Sequence, residues 1–271
     1  TTTPTIKLLS GLAGIPAGPV VAVGNNGTIL QWVDPAWSFM PGGLTSDFYD
    51  VWGDGAGLVI AVGALGTTYS RLPDGTWEAG SAGTADLNSI HGTGPGSVWA
   101  VGDGGAALFF DGGGWNPLAL PTTSDLNAVF ALAANDVWVA GDNGVILHYD
   151  GNDWTRPSIS PTDRFFSVWA SGVDDVYVSG DNTTLLHYDG TKWKDLGPDL
   201  NSPFPSLYIH EVWGLGRNHV YAAAELTPSS PSPAPTAGRV LHGGGWLYRY
   251  DGRSWSEFYS DPGQDIWSVW G

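Results

Sequence analysis

A repeat of 39 residues constrains the fold of this chain more than any other feature of its sequence. Each repeat contains an alternating apolar run that ends in glycine, and five such glycines follow one another at this interval (63 − 24, and so on). They are Gly24, Gly63, Gly102, Gly141 and Gly180. A sixth run ends at Ala224, 44 residues after the fifth glycine (224 − 180). Self-similarity at a fixed period of this length indicates a repeat architecture in which each unit is one supersecondary structure.

The internal pattern of the repeat predicts four short strands. In the best copy, residues 137–154, two alternating apolar runs flank Gly-Asp-Asn-Gly, and Asn-Gly tolerates the positive φ angles of a tight hairpin turn. The second run ends in Asp-Gly, and a Trp opens the next run. The predicted strands of this unit are 126–131, 136–141, 145–149 and 154–158. Four strands in roughly 40 residues are typical of one β-propeller blade.

Six repeats predict one all-β domain over residues 1–271, a six-bladed β-propeller of four-stranded antiparallel blades. The last residues, 264–271, repeat the first-strand pattern with Val-Trp-Gly. We therefore expect them to close the ring by pairing in the blade that contains residues 20–40. Residues 6–14 have suitable spacing for the same position, but they match the pattern less well. The prediction accordingly treats 1–14 as an N-terminal extension.

One segment, 225–245, interrupts the period. It is rich in Pro and Ser and replaces the turn between the second and third strands of blade six. Proline cannot donate to a sheet ladder, so most of this segment is predicted to be a loop. It is either a surface decoration or a cover over the central opening.

The composition narrows the possible partners. The formal net charge is −17, which repels phosphate backbones and excludes nucleic acid as an expected partner. Such a surface favours cations, basic proteins or neutral ligands such as sugars. The chain has no Cys, which excludes disulfides and thiol catalysis, and it has no apolar run of the roughly 18 residues that membrane insertion requires. The Thr/Pro-rich residues 1–5 look like a linker, and we expect a monomer located outside the cell, in the periplasm or at the cell surface.

The repeat resembles a known family. The pattern Val-Trp, five residues, then Gly-x-Ile/Leu-x-x-Tyr-x-Gly-x-x-Trp, best copied at 98–115 and 137–154, is similar to the tectonin repeat of six-bladed propeller lectins. The Asp-Gly turns that precede each Trp resemble degenerate Asp-boxes of sialidase-type propellers. These turns begin at Asp111, Asp150, Asp189 and Asp251. The resemblance implies a propeller fold, a structural role for the turns away from the ligand face, and lectin-like carbohydrate binding.

Candidate ligand-binding residues come from the loops of one face and from the ends of nearby strands. Tryptophans at recurring strand positions are expected to fill gaps between blades, whereas Trp246 and Trp267 lie outside that register and could stack on a sugar. The candidates are Asp103, Asp142, Asn143, Asp163, Arg164, Asp181, Asn182, Tyr208, His210, Glu211, Trp246 and Trp267.

A ring of acidic turn residues offers a second possibility. Asp103, Asp142, Asp181 and Glu225 follow the anchor position in four consecutive repeats, and carboxylate oxygens suit a hard cation such as calcium. The alternative is that each Asp caps backbone N–H groups of its own turn. No other cofactor is expected.

The sequence predicts a non-catalytic binding module, most simply for a neutral glycan bound by the loops of one face. A protein-interaction scaffold is the first alternative. An enzyme, either a lyase or a hydrolase, is the second, with an axial site around Asp163, His210 and Glu211. No nucleophile-elbow, zinc or phosphate-loop motif accompanies these three residues.

Overall fold

The chain forms six four-stranded antiparallel sheets in a computed structural model, one sheet for each sequence repeat. The structure describes residues 9–14, 20–40, 44–159, 163–200, 206–226, 244–261 and 266. Every sheet follows chain order from its first to its fourth strand. The fold is a six-bladed β-propeller, as the sequence predicts. Among the described residues, no helix is long and apolar enough to cross a bilayer.

Three blades and the start of the fourth lie in the first of two compact units, residues 1–137. Blade one contains β1 (Leu9–Gly14), β2 (Val20–Gly24), β3 (Thr28–Val33) and β4 (Ala36–Phe39). Blade two contains β5 (Phe48–Gly53), β6 (Val59–Gly63), β7 (Thr67–Arg71) and β8 (Trp77–Ser81). Blade three contains β9 (Leu87–Gly94), β10 (Ser97–Gly102), β11 (Ala107–Phe110) and β12 (Trp115–Pro117). Single 3-10 turns at Ala64–Gly66 and Asp103–Gly105 link second to third strands.

The second unit is residues 138–271, and the boundary between the units falls inside blade four. Blade four contains β13 (Leu126–Ala133), β14 (Asp136–Gly141), β15 (Val145–Tyr149) and β16 (Trp154–Thr155). Blade five contains β17 (Phe165–Gly172), β18 (Asp175–Gly180), β19 (Leu185–Tyr188) and β20 (Trp193–Asp195), followed by a 3-10 turn at Gly197–Leu200. Blade six contains β21 (Leu207–Gly216), β22 (His219–Leu226), β23 (Gly245–Tyr250) and β24 (Trp255–Asp261).

The first strand of blade one corrects the predicted ring closure. Leu9–Gly14 pairs antiparallel with Val20–Gly24, with Leu12 opposite Ala22. The other side of β2 pairs with β3, so the position that we assigned to 264–271 is occupied by β1. Treating all of 1–14 as an extension was therefore wrong. Val-Trp-Gly similarity was a weaker guide than chain proximity, because a short connection favours pairing of consecutive strands. Residues 267–271 lie outside the described part of the chain.

Three anchor glycines of the repeat lie where no side chain fits, because a Cβ would clash with a neighbouring carbonyl oxygen. Gly102 has an extended backbone with φ of −171°, which any residue can adopt. A Cβ at this position would lie 1.8 Å from the carbonyl oxygen of Asp86, just before the first strand of the same blade. Gly63 and Gly180 would bring a Cβ within 2.0 Å and 2.3 Å of the equivalent carbonyl oxygens of Asp47 and Arg164. The 39-residue signal therefore marks the point where each second strand packs against the start of its own first strand.

The Asp-Gly turns are held by their own carboxylates. Asp150 Oδ1 accepts hydrogen bonds from the N–H groups of Asn152 (2.9 Å) and Asp153 (3.0 Å). Asp111 in blade three and Asp251 in blade six make the same pair of bonds. These backbone donors lower the pKa of all three carboxyl groups. The turns therefore have the structural role that the resemblance implies.

Apolar side chains from neighbouring blades pack together in the first unit. One cluster joins blades one and two through Val23, Ile29, Phe48 and Val59, and a second joins blades two and three. In the second cluster, Trp52 packs with residues of blade three. Of the recurring tryptophans, Trp52, Trp99, Trp138 and Trp169 are buried, in agreement with their predicted packing role, and Trp213 is half-buried. Trp270 lies outside the described residues.

Candidate functional site

In blades two, five and six, a β-bulge near the start of the first strand re-aims one side chain. The register skips one residue between Phe48 and Asp50, between Phe165 and Ser167, and between Ile209 and Glu211. The bulged residues are therefore Tyr49, Phe166 and His210. Bulges re-aim side chains and are common beside functional sites. They lie at the edge of each sheet where the first strand begins and the second ends, which we call the loop face.

Two consecutive bulge residues in the second unit form an aromatic surface. Phe166 and His210 are stacked with ring centroids 5.5 Å apart and an interplanar angle of 26°. Tyr208 meets Phe166 edge-on at 6.0 Å and lies 5.9 Å from the His210 ring. The guanidinium carbon of Arg164 lies 5.6 Å from the Phe166 centroid, within cation–π range. Blades five and six thus contribute a continuous strip of three rings and one guanidinium.

A salt bridge and a histidine–carboxylate contact flank this strip. Arg164 Nε lies 2.9 Å from Asp142 Oδ1, and the Arg164 side chain is 55% exposed. His210 Nε2 lies 2.8 Å from Glu225 Oε1, and both side chains are only 14% exposed. Tyr208 and Glu225 are directly opposite each other in the β21–β22 ladder, which explains why this carboxylate reaches the strip.

Two more carboxylates complete the surroundings. Asp181 Oδ1 accepts the Arg164 N–H at 3.1 Å, while the Asp181 N–H donates to the Arg164 carbonyl. Asp163 accepts hydrogen bonds from Asn182 Nδ2 and Thr184 Oγ1, both at 3.0 Å. Burial and the negative charges of Asp163 and Asp142 raise the pKa of Asp181, against the lowering effect of the Arg164 N–H. We call the whole group the loop-face cluster: Asp142, Asp163, Arg164, Phe166, Asp181, Asn182, Tyr208, His210 and Glu225.

Two predicted site residues have local structural contacts outside this strip. Asp103 Oδ1 accepts a hydrogen bond from Asn88 Nδ2 at 2.9 Å within blade three. Asn143 has a positive φ of 59°, as its hairpin turn requires, and its carbonyl accepts a bond from Arg156 at 3.4 Å. Both contacts lie within the blade of the residue concerned, and neither is a bond from a backbone N–H of the turn to its own Asp or Asn side chain.

Glu211 lies at a repeat position that links neighbouring blades. The equivalent Asp50 accepts the Ile90 N–H at 2.9 Å, and the equivalent Ser167 accepts the Val212 N–H at 3.3 Å. In both cases a first-strand side chain bonds the backbone of the next first strand. In blades two and five this position therefore serves blade-to-blade hydrogen bonding.

The tryptophan candidates do not supply a surface for sugar stacking among the described residues. Trp246 lies in β23, opposite Ala224 and Ser260, and is only 7% exposed. The expectation of an exposed loop residue was wrong, because β23 begins at Gly245, just before it. Trp267 lies outside the described residues.

The acidic turn residues do not form a metal site in the described part of the chain. No three His, Asp or Glu side chains there are close enough to ligate one cation. Asp142 pairs with Arg164, and Glu225 pairs with His210. The calcium hypothesis therefore gains no support from these residues.

Sequence reasoning did not identify Phe166, which joins the two halves of the cluster. A signal was available, because residues 49, 88, 127 and 166 follow the 39-residue interval and residue 210 follows at 44. Residues 49, 88 and 166 each precede by one residue a side chain that bonds the backbone of the next blade. Recognising this position as bulged requires the register, which the apolar pattern alone does not supply.

Comparisons with known proteins give the fold. No protein-family model matches the chain, and no curated protein sequence is significantly similar to it. The solved structure of YCF48 from Cyanidioschyzon merolae is 16% identical, with a TM-score of 0.68 over 94% of this chain and 86% of that one. YCF48 bound to D1 peptide is 15% identical, with a TM-score of 0.57 over 82% and 90%.

A third solved structure is the extracellular domain of a one-component system of B. thetaiotaomicron. It is 13% identical, with a TM-score of 0.64 over 82% of this chain and 32% of that one. The chain thus spans about a third of the length of this neighbour. At these identities the likeness establishes a shared fold: the chain is structurally similar to known β-propellers.

Proposed function

We propose that this propeller is a non-catalytic binding module whose loop-face cluster binds an extended peptide segment that carries Lys or Arg. One observation supports this most strongly. The three-ring strip of Phe166, Tyr208 and His210 is surrounded by four carboxylates, and Arg164 is the one Lys or Arg side chain in the cluster. The carboxylates are Asp142, Asp163, Asp181 and Glu225.

The chemistry of the cluster suits a cationic side chain. An ammonium or guanidinium group can lie over an aromatic ring and at the same time donate charge-assisted hydrogen bonds to nearby carboxylates. Arg164 shows this arrangement within the chain itself, since it lies over Phe166 and pairs with Asp142. A ligand cation would take the equivalent position over Tyr208, beside Asp163 and Asp181.

Two further facts support a basic peptide. The net charge of −17 attracts cationic partners over long range and increases their association rate. Among structural neighbours, one was solved with a bound peptide. The expected extracellular or periplasmic location remains a prediction, and the neighbour that is an extracellular domain is compatible with it.

We favour peptide binding over glycan binding and over catalysis at this face. Glycan binding by loop tryptophans is less favoured, because Trp246 is buried. Catalysis by an axial histidine is less favoured, because no nucleophile-elbow, zinc or phosphate-loop motif accompanies His210.

The test compares short fluorescent peptides by anisotropy. The probes are alanine–serine nonapeptides with two Arg, two Lys, two Glu or no charged residue. We expect the Arg and Lys probes to bind, more weakly as ionic strength rises, and the Glu and uncharged probes not to bind.

Variants locate the binding. Phe166→Ala and Tyr208→Ala should each weaken the Arg probe about 10-fold or more, the size typical of a central aromatic contact. Tyr49→Ala is the matched control, since Tyr49 is an aromatic bulge residue outside the cluster, bonded to Asp86. Equal binding of basic and acidic probes, or wild-type affinity in Phe166→Ala, would disprove the proposal.

A further inference from the structure

A cavity of about 510 Å³ lies on the outer side of blade five, away from the loop-face cluster. Its walls are the end of β19, the β19–β20 turn and the linker that follows blade four. Tyr188 and Trp193 form one wall, and Pro157 and Ile159 form another. The volume is within the range of about 300–1,000 Å³ that is usual for small-molecule sites. We call it the blade-five side pocket.

The aromatic wall is held in place from behind. The Tyr188 and Trp193 rings are 5.3 Å apart and inclined by 34°. Trp193 packs edge-on against the buried Trp138 at 5.8 Å, and the Tyr188 hydroxyl donates to the Gly190 carbonyl at 2.8 Å. Both rings are half-buried, so each keeps part of its surface exposed. A rigid aromatic wall of this kind provides an apolar platform at low entropic cost.

The polar groups of the pocket balance in charge. Lys192 and Asp195 are its only charged lining residues, one of each sign, in a chain whose net charge is −17. Thr191 adds a hydroxyl group, which donates to Asp189 Oδ1 at 2.6 Å and leaves its oxygen as an acceptor. Asp195 is oriented by the Gly197 N–H, which donates to its Oδ1 at 2.9 Å. The pocket thus combines hydrogen-bond donors and acceptors with no net charge.

From this combination we infer that the blade-five side pocket is a second binding site, specific for a neutral mono- or disaccharide. The apolar face of a sugar ring stacks on Trp193, while Lys192 donates to and Asp195 accepts from its hydroxyl groups. An ionic ligand is disfavoured, because the lining offers no excess of charge. The site is independent of the loop-face cluster, so its test can fail while peptide binding holds.

The experiment titrates the isotope-labelled protein with neutral sugars and follows the Trp indole and backbone N–H signals by NMR. The probes are the methyl glycosides of glucose, galactose and mannose, with N-acetylglucosamine, maltose and cellobiose. At least one should shift the Trp193 indole and the Lys192 amide, with a dissociation constant of about 1 mM, as expected for a single weak site.

Two matched variants test the location. Ser158→Arg fills the pocket from an exposed position on its rim and should weaken the sugar at least 10-fold. Ala119→Arg is the control, an exposed residue 39 positions earlier in the preceding linker (158 − 119), and it should leave binding unchanged. Lys192→Ala, in an exposed turn, should weaken binding without filling the cavity.

Three results would overturn the inference. The first is the absence of any shift with all six probes at concentrations about 50-fold above the expected constant. The second is unchanged sugar binding in Ser158→Arg. The third is a pocket that responds to acetyl-leucine amide and to no sugar, since it would then accept an apolar peptide side chain. Anisotropy of the Arg probe with Ser158→Arg, expected to match wild type, separates this test from that of the loop-face cluster.

Discussion

At the residue scale, the same position of the repeat carries side chains with different electrostatic properties. Asp50 and Ser89 both bond the backbone of the following blade, and Asp50 Oδ2 also accepts the Ser89 hydroxyl at 3.1 Å. Burial raises the pKa of Asp50 to about 6, although three hydrogen bonds to the carboxylate oppose the shift. Two positions after Ser89, burial lowers the pKa of His91 to about 4. These two groups affect stability with opposite dependence on pH.

Asp50→Asn tests the first effect. Because the pKa is higher in the folded protein than in the unfolded chain, protonation favours the fold, and this contribution is lost as pH rises from about 4 to about 6. Its size is at most about 3 kcal/mol. The difference in unfolding free energy, wild type minus variant, should fall over this window in urea titrations. A difference independent of pH would contradict the assigned pKa.

His91→Asn tests the second effect. The neutral His91 accepts the Ala131 N–H on Nδ1 at 3.1 Å and stacks on Phe130 at 4.4 Å. Its pKa is lower in the fold than in the unfolded chain, so its contribution is lost as pH falls from about 6.5 to about 4. Asn keeps an acceptor but cannot be protonated. The difference in unfolding free energy, wild type minus variant, should therefore rise with pH in this window. If the unfolding free energies of the two proteins changed equally with pH, the explanation would be refuted.

At the element scale, the blades are defined by three recurrent devices: the anchor glycine, the Asp-Gly turn and the first-strand bulge. The first two could be predicted from the sequence, because each leaves a fixed residue type at a fixed interval. The bulge could not, because Tyr49, Asn88, Phe166 and His210 share no residue type. What they share is an extra residue in the register, and this becomes visible only when the partner strand is known.

Gly102→Ala measures how much stability the fold loses when the anchor glycine gains a Cβ. The new Cβ would lie 1.8 Å from the Asp86 carbonyl oxygen and 2.9 Å from Leu87 Cα, both backbone atoms that cannot rotate away. We expect a loss of about 3 kcal/mol in unfolding free energy, typical of overpacking at a rigid site. The matched control is Gly94→Ala in the same blade, where a Cβ has open space, and it should be nearly neutral. Equal effects of the two variants would show that space is not the reason for the repeat glycine.

At the scale of the whole molecule, the 39-residue period predicted the fold. Chain proximity determined which segment forms the first strand of blade one. The count of six blades follows from the spacing of five glycines and Ala224, whereas the choice between 6–14 and 264–271 set chain proximity against similarity to the Val-Trp-Gly pattern. The site was partly predictable. Seven residues named from loops or from the start of a first strand lie in one cluster in the structure: Asp142, Asp163, Arg164, Asp181, Asn182, Tyr208 and His210. Their pairing across blades, through Phe166 and Glu225, depends on side-chain directions that periodicity does not encode.

The position at which a basic peptide binds is the most direct test of the loop-face cluster as a binding site. An NMR titration of the labelled protein with the two-Arg nonapeptide measures this residue by residue. We predict that the largest shifts lie at the backbone amides of Phe166, Asp181 and Tyr208, and that Phe166→Ala abolishes them while Tyr49→Ala does not. Shifts that are absent, or that concentrate outside the loop-face cluster, would contradict the assignment of this face as the binding site.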